Sequence, residues 1–146
     1  MFKAFRALAL LAVVTVPSIA TAQAAAVPKT AVNTGRPSAN LSGGIKVGDM
    51  LYASGQLGSA DSTIEVQTRQ ALEKTKAVFE AGGTSMENAV KCTVFLTRAA
   101  DFQAMNGVYR TFFPKDPPAR STIVVAALVV PNALVEIECA AAVPKS

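Results

Sequence analysis

The segment from Glu65 to Ala81 carries the strongest structural pattern in this chain of 146 residues. Apolar and small side chains recur there at helical spacing, while charged residues occupy the other side. The apolar stripe comprises Thr68, Leu72, Thr75, Val78 and Phe79. Gly82 and Gly83 follow directly and end the helix. A long amphipathic helix of this kind needs an apolar surface to cover, and the neighbouring segments predict one.

Strand-like segments lie on both sides of this helix. Gly48-Asp49 separates two short β-rich segments and predicts a hairpin turn between them. A second helix begins at Asp101 and ends before Pro114. The strands predicted after the first helix are 89–96, 121–130 and 134–142, and the apolar run 121–130 is typical of a strand covered on both faces. The predicted order is ββαβαββ, an α+β sheet with both helices on one face.

The first 22 residues have the pattern of a secretory signal peptide. Lys3 and Arg6 precede an uninterrupted apolar run at 7–16, and a small-x-small pattern at 20–22 offers a cleavage site. A run this short is unable to cross ~30 Å of hydrocarbon as a helix, so we expect no permanent membrane anchor. The alternative is a buried N-terminal helix. Cleavage after Ala22 places the mature protein in a bacterial periplasm or outside the cell.

The remaining chain divides into two parts. Residues 23–42 are rich in Ala, Pro, Asn, Thr and Gly without any period, which predicts an exposed N-terminal arm. Residues 43–146 form the folded domain, and the chain length fits one domain only.

The sequence contains no histidine, and this absence excludes several kinds of site. Ser-His-Asp and Cys-His triads, histidine zinc sites and His-ligated haem are all ruled out. Two cysteines are too few for a thiolate zinc site or an iron–sulfur cluster within one chain. The net charge is +4, and no three consecutive residues are basic, which argues against nucleic acid as a partner.

The two cysteines, Cys92 and Cys139, lie in predicted strands. Alternation places Cys92 with Val90 and Val94 on the helix-covered face, where a free cysteine packs as a small apolar side chain. We therefore predict two buried thiols. A disulfide stays the alternative, because an exported protein meets an oxidising compartment.

Four polar features do not follow from building a core. Arg120 begins an apolar strand directly after a Pro-Pro loop, where a guanidinium either reaches water or faces a cleft. Glu136 and Glu138 share one face of the last strand. Asn106 lies at the edge of an apolar helical stripe, and the Ser54-Gly55-Gln56 segment presents backbone N–H groups. Each has an ordinary structural explanation alone.

Taken together, the segments around these residues resemble the RidA (YjgF-type) imine deaminase family over roughly residues 41–143. The matching segments are Ser54-Gly55-Gln56, VKCTVFL at 90–96, Asn106-x-x-Tyr109-x-x-Phe112-Phe113, Pro118-Ala119-Arg120-Ser121 and Val135-Glu136-Ile137-Glu138. The resemblance implies a chorismate-mutase-like fold, a homotrimer with clefts between subunits, and hydrolysis of 2-imino and enamino acids to 2-keto acids and ammonia. It implies neither a metal nor an organic cofactor.

The resemblance also implies roles for individual residues. Arg120 matches the arginine that binds the substrate carboxylate, and Glu136 matches the glutamate that positions the attacking water. Asn106, Ser54 and Gly55 match positions that line the same cleft.

Two positions depart from the family pattern. Thr122 stands where a cysteine is common, and a hydroxyl there can still line the cleft by hydrogen bonding. Leu41 stands where a tyrosine is usual, which favours larger or more apolar imino acids as substrates.

Three other functions remain open on the sequence alone. The same cleft could bind a ligand or protect against stress without turnover, and some family members are described as ribonucleases or translation inhibitors. The low charge and the export signal argue against RNA. A cysteine-linked surface protein has no repeat to support it.

Overall fold

The computed structural model describes residues 26–36 and 38–145, which form six strands and two long helices. In chain order these are β1 (Lys29–Val32), β2 (Gly44–Val47), β3 (Met50–Leu57), α1 (Ile64–Ala81), β4 (Ala89–Leu96), α2 (Phe102–Phe112), β5 (Ala119–Val124) and β6 (Val135–Ala142). Short 3₁₀ turns precede β4 and α2. The strands form a sheet in the order β1-β2-β3-β6-β4-β5, in which only the β4–β5 pair is parallel.

The predicted α+β architecture and the ββαβαββ core are confirmed. Both helices lie on one face of the sheet, with α1 against β3 and β6 and with α2 beside α1. All five residues of the stripe predicted for α1 are buried. Gly48 takes a φ of 55° and turns β2 into β3, as expected for a two-residue hairpin.

The α1 helix has defined ends. The Thr63 hydroxyl accepts a hydrogen bond from the Val66 amide at 3.4 Å and caps the first turn. At the other end Gly82 packs directly against Leu51 of β3, and a Cβ at this position would collide with the leucine side chain. Glycine is therefore needed there for close approach of helix and sheet.

The N-terminal region differs from the prediction. Residues 29–32, inside the predicted arm 23–42, form the edge strand β1 and pair with β2. Only Val32 of this strand is buried, so the segment lacks the apolar alternation that marks a strand in sequence. The predicted signal peptide, residues 1–22, lies outside the described residues. No helix in the described part of the chain is long and apolar enough to span a membrane.

The strand predicted at 121–130 is wrong in both extent and burial. β5 ends at Val124, and it is an edge strand with β4 as its single neighbour. Ile123 is 45% exposed, Val124 54% and Val129 89%. The physical reason is topological, because the parallel crossover through α2 places β5 last in the sheet. The apolar run is therefore exposed on the surface of the single chain.

The predicted free thiols are also wrong, because Cys92 and Cys139 form a disulfide. The two residues face each other across the antiparallel β4–β6 pair, with their Cα atoms 4.1 Å apart. Both lie on the helix-covered face as expected, but Val90 does not share it. The strand register shifts between Ala89 and Lys91, and this bulge leaves Val90 45% exposed.

We expect the disulfide to be complete in the purified oxidised protein. Alkylation under denaturing, non-reducing conditions should then label no cysteine, and prior reduction should give two labels by mass spectrometry. Replacing both Cys92 and Cys139 by alanine should lower the free energy of unfolding by about 2–4 kcal/mol, since the bridge closes a long loop. Two labels without reductant would contradict the bridge.

A buried glutamine holds the segment that leads into β6. The Gln67 side-chain amide donates to the carbonyls of Ser62 at 3.0 Å and Asn132 at 3.3 Å. Its Oε1 accepts from the backbone N–H of Leu134 at 2.8 Å. Because Gln67 is fully buried, these bonds fix the entry of β6, the strand that carries Glu136.

Candidate functional site

Arg120 lies on the edge strand β5 and reaches back over the second helix. In the parallel register it stands opposite Cys92, so its side chain is on the helix-covered side of the sheet. The guanidinium carbon lies 4.5 Å from the centre of the Tyr109 ring. The ring of Phe102 is farther away, at 5.9 Å. Arg120 is therefore held against aromatic side chains of α2.

The Arg120 side chain lines a surface cleft of about 470 Å³. The cleft is lined by Asn106, Tyr109, Arg110, Phe113, Pro117, Pro118 and Arg120. Two of these residues are cationic, and none carries a carboxylate. Ion pairs in the described part of the chain are Lys76–Glu80, Arg98–Asp101 and Lys145–Asp49, so neither arginine of the cleft is paired there. A cleft of this kind is suited to a small anion.

One side of α2 supplies much of the cleft. Phe102, Asn106 and Tyr109 follow one another at helical spacing, which places them on the same side. Asn106 is half-buried between the two aromatic residues in this row. Asn106 and Arg120 line the same cleft, and the Asn106 amide offers both a donor and an acceptor there.

Tyr109 is the most unusual side chain of the site. It is 5% exposed, and its hydroxyl finds no hydrogen-bond partner among the described residues. Burial raises the pKa of Tyr109 to about 12, against the opposing effect of the Arg120 charge. The phenol is therefore neutral at physiological pH, and its contact with Arg120 is one between a cation and a neutral ring.

Glu136 lies on the opposite face of the sheet. Its neighbours Val135 and Ile137 are fully buried under the helices, so alternation directs Glu136 to the open face. The carboxylate lies directly over Gly55 of β3, where a Cβ would collide with it. Gly55 is part of a register shift between Ala53 and Gln56 that brings this backbone close to Glu136.

Ser54 belongs to the same bulge, but its polar groups are already used. Its hydroxyl donates to the carbonyl of Ser42 at 2.7 Å, and its backbone N–H donates to the carbonyl of Gly43 at 2.9 Å. The expectation of a free N–H at Ser54 is therefore wrong. The reason is that the preceding segment, before β2, folds back along β3.

The six predicted site residues thus form two groups in one chain. Arg120 and Thr122 lie on the helix side of β5, with Thr122 opposite the buried Val94. Asn106 lies on α2, at the same side of the sheet. Glu136, Ser54 and Gly55 lie together on the open face, at the β3–β6 pair. The strands β5 and β6 flank β4, about 10 Å apart. One chain does not bring Arg120 and Glu136 together.

Tyr109 and Arg110 line the cleft in addition to the residues predicted from the sequence. The helical spacing of Phe102, Met105 and Tyr109 predicts an apolar face of α2 that includes Tyr109, and the burial of Tyr109 agrees with that. Tyr109 follows Phe102 by seven residues and Asn106 by three, and this helical spacing indicates that it lies on the same side of α2 as Asn106. Among the described residues, no group of three or more acidic or cysteine side chains could hold a metal ion.

Comparisons with known proteins agree with the fold and identify the family. A family model described as Endoribonuclease L-PSP matches residues 30–143, and so begins inside β1. Reactive Intermediate Deaminase A of Arabidopsis thaliana is 38% identical over 128 residues, covering 81% of this chain and 68% of that protein. The 2-iminobutanoate/2-iminopropanoate deaminase of Dermatophagoides farinae is 40% identical over 121 residues, covering 76% and 94%.

Solved structures give the same result. Yeast Mmf1 superposes with a TM-score of 0.76 at 28% identity, covering 80% of this chain and all of that one (100%). The YjgF gene product of E. coli gives a TM-score of 0.72 at 31% identity, covering 77% and 98%. Since the family model spans most of the chain and the two relatives are 38% and 40% identical to it over the aligned residues, the chain belongs to the YjgF/RidA family, and its predicted resemblance to that family is confirmed.

Proposed function

We propose that this protein is an exported deaminase that hydrolyses 2-imino and enamino acids to 2-keto acids and ammonia. The observation that carries the proposal is the cleft in which Arg120 is held on an aromatic ring with no acidic neighbour among the lining residues. Two relatives named as deaminases of reactive intermediates and of 2-iminobutanoate and 2-iminopropanoate support the reaction class.

Arg120 binds the carboxylate that every 2-imino acid carries. A guanidinium offers two parallel N–H groups to a carboxylate, and such charge-assisted pairs are stronger than neutral hydrogen bonds. Asn106 lines the same cleft and donates to the substrate from the side of α2. Together they fix the imine carbon relative to the attacking water.

Glu136 supplies the base. Water adds across the C=N bond of the protonated imine, and the carboxylate orients this water and accepts its proton. The resulting carbinolamine carries both a hydroxyl and an amino group on the former imine carbon. Glu136 then returns this proton to the amino nitrogen, and the C–N bond breaks to release ammonia. The hydroxyl proton passes to the ammonia as the C=O bond of the keto acid forms, so the reaction needs water as its only co-reactant.

Because Arg120 and Glu136 lie on opposite faces of one sheet, we propose that two copies of the chain form each cleft. Three chains in a ring would give three equivalent clefts. The open face supports this, since Tyr52 is 50% exposed there and Met50, Val90 and Ala140 line a depression of about 370 Å³. The exposed apolar end of β5 would be covered in the same assembly.

A coupled assay tests the activity directly. An amino-acid oxidase acting on alanine generates 2-iminopropanoate, and semicarbazide traps the imine that remains. The purified protein should lower the trapped fraction in proportion to its concentration. If keto acid binds but the trapped fraction does not fall, the cleft is a static ligand-binding site and the enzymatic proposal fails.

The same assay tests the size of the preferred substrate. Leu41 is 60% exposed, and we expect it to favour larger substrates, so the imine made from leucine should be hydrolysed at least as well as the imine made from alanine. A clear preference for the imine from alanine would contradict this expectation.

Gly55→Ala should reduce turnover on the order of tenfold, because the added Cβ displaces the Glu136 carboxylate from its place over the β3 bulge. The matched control is Gly107→Ala in α2, where an added Cβ meets no atom within 4 Å. That control should gain about 0.5–1 kcal/mol of stability and keep its activity. Equal activity of the two variants would contradict the placement of Glu136 in the site.

Export is proposed from the N-terminal pattern. Expressed in a bacterial host with its own N-terminus, the protein should reach the periplasm as a mature form that starts near Gln23. N-terminal sequencing of the soluble periplasmic fraction is the measurement. A cytosolic product that begins at Met1 or Phe2 would overturn the export proposal and leave the enzymatic one untouched.

A further inference from the structure

We infer that Tyr109 is the positioning residue for Arg120, and that its ring face orients the guanidinium so that the N–H edge stays free for the substrate carboxylate. This inference rests on the proposed function, because it assigns Arg120 the carboxylate of the substrate. Tyr109 acts through Arg120 and is not itself assigned a chemical step.

The geometry separates Tyr109 from the other aromatic neighbour. At 4.5 Å the Arg120 guanidinium carbon is within close stacking distance of the Tyr109 ring centre. The Phe102 ring, at 5.9 Å, is at the outer limit of such an interaction, and Phe102 is 37% exposed. Tyr109 is 5% exposed, so its attraction for the cation is less weakened by water.

An aromatic support serves a carboxylate-binding arginine better than an acidic one. A guanidinium has its N–H donors in the plane of the group, and a carboxylate partner would use two of them. A ring beneath the plane attracts the cation through its face and leaves the in-plane donors unused. The lining of the cleft matches this requirement, since it contains aromatic rings and no acidic side chain.

The Tyr109 ring is itself fixed. Its neighbour Phe113 lies four residues on, at the C-terminal end of α2, with ring centres 4.7 Å apart and planes tilted by 40°. Both residues are buried, so the support under Arg120 is part of the packed core and not a mobile surface group.

The hydroxyl of Tyr109 has no part in this role. It is buried without a hydrogen-bond partner among the described residues, which costs stability and means that it forms no hydrogen bond with Arg120. Loss of the hydroxyl alone should therefore be tolerated, and loss of the ring should not. This contrast distinguishes support by the ring face from a hydrogen bond.

The test compares Tyr109→Phe and Tyr109→Leu with Phe79→Leu as the matched control. Phe79 is a fully buried aromatic residue of α1, and its ring is not one of the two that lie against Arg120. Its replacement therefore weakens the core without removing an aromatic support of Arg120. We expect Tyr109→Leu to raise KM for 2-iminopropanoate, and Kd for 2-oxobutanoate, on the order of tenfold with a smaller change in kcat. Tyr109→Phe should keep both constants within about twofold, and Phe79→Leu should lower the melting temperature and leave KM unchanged.

A second series keeps the shape of the ring. Ring-fluorinated phenylalanines at position 109 weaken the negative face in steps while the packing is preserved. Kd for 2-oxobutanoate should rise with each added fluorine, and the Nε–Hε NMR signal of Arg120 should lose part of its ring-current shift only when the ring is removed. This series remains informative where Tyr109→Leu fails to fold.

The outcomes are distinguishable. A Kd that ignores fluorination, or a Tyr109→Phe variant as impaired as Tyr109→Leu, would overturn the role of the ring face. Absence of 2-oxobutanoate binding to the unmodified protein would overturn it as well. If the unmodified protein binds 2-oxobutanoate but shows no turnover, the proposed function fails, and the fluorinated series still decides the role of Tyr109.

Discussion

Replacing Arg120 by alanine should lower kcat/KM for 2-iminopropanoate by about a hundredfold or more, because a charge-assisted bidentate contact contributes about 3 kcal/mol. The folded state should survive the change. Arg120 lies on an edge strand, is half-buried, and forms no ion pair in the described part of the chain. Its removal therefore leaves no partner charge stranded in the core.

The lysine variant sharpens this expectation. Arg120→Lys keeps the positive charge but loses the planar fork, so it should also be severely impaired. Lysine offers a point charge that is unable to form two parallel bonds to one carboxylate. Near-normal activity of Arg120→Lys would show that charge alone suffices and that the bidentate contact is unnecessary.

Two neighbours serve as controls for Arg120. Thr122→Ala, on the same side of β5, should change activity little, because no covalent step is proposed. Arg110→Ala removes the exposed second cation of the cleft, and its effect should be smaller than that of Arg120→Ala. Steady-state kinetics on all four variants, with circular dichroism to confirm folding, gives the ranking. A dead Thr122→Ala beside an active Arg120→Ala would contradict the assigned roles.

The parts of the fold that follow from local pattern were predictable. α1 is an example, because its stripe at 68, 72, 75, 78 and 79 faces the core at every position. The hairpin at Gly48 is another, since few residues accept its positive φ. In both cases the physical cause lies within a few residues of the chain, and no distant contact is needed to decide the structure.

The parts that depend on distant strand neighbours were not predictable. β1 forms because β2 offers a free edge, and its own side chains are mostly exposed. The apolar run after Ser121 indicated a central strand, yet the crossover places β5 at the edge. Cys92 and Cys139 become directly opposed only through the β4–β6 register, which spacing in the sequence does not specify.

The site shows the same division. Residue types and motif order identified Arg120, Glu136 and Asn106 as polar groups outside the core. Their division between two faces of the sheet follows from strand order, as does the contact between Arg120 and Tyr109. The sequence pattern predicts Tyr109 as a core residue, and its ring is indeed buried in the core. The second role of Tyr109 comes from the Arg120 guanidinium that lies against this ring.

The division of the site between two faces leads to the second large effect, at Glu136. Glu136→Gln should lower turnover by about a hundredfold or more, because the amide keeps the shape of the side chain but is unable to accept a proton from water. Binding of 2-oxobutanoate should persist, since Arg120 is unchanged. Isothermal titration of the keto acid together with the semicarbazide assay separates the two effects. Lost binding with an intact fold would instead assign Glu136 to substrate recognition.

Mixing the two inactive variants then tests whether each cleft is shared. If Arg120 comes from one chain and Glu136 from the next around a ring, Arg120→Ala and Glu136→Gln chains refolded together at equal amounts produce some clefts with both native residues. Random assembly of a closed ring makes about a quarter of the clefts complete, and activity should return to about that fraction of the unmodified protein. Differently tagged chains, co-purified after mixing, show that mixed assemblies have formed, and sedimentation equilibrium gives their size. Verified mixed trimers with no regained activity, or a monomer at micromolar concentration, would contradict the shared cleft, because each native residue would then have to complete a site within its own chain.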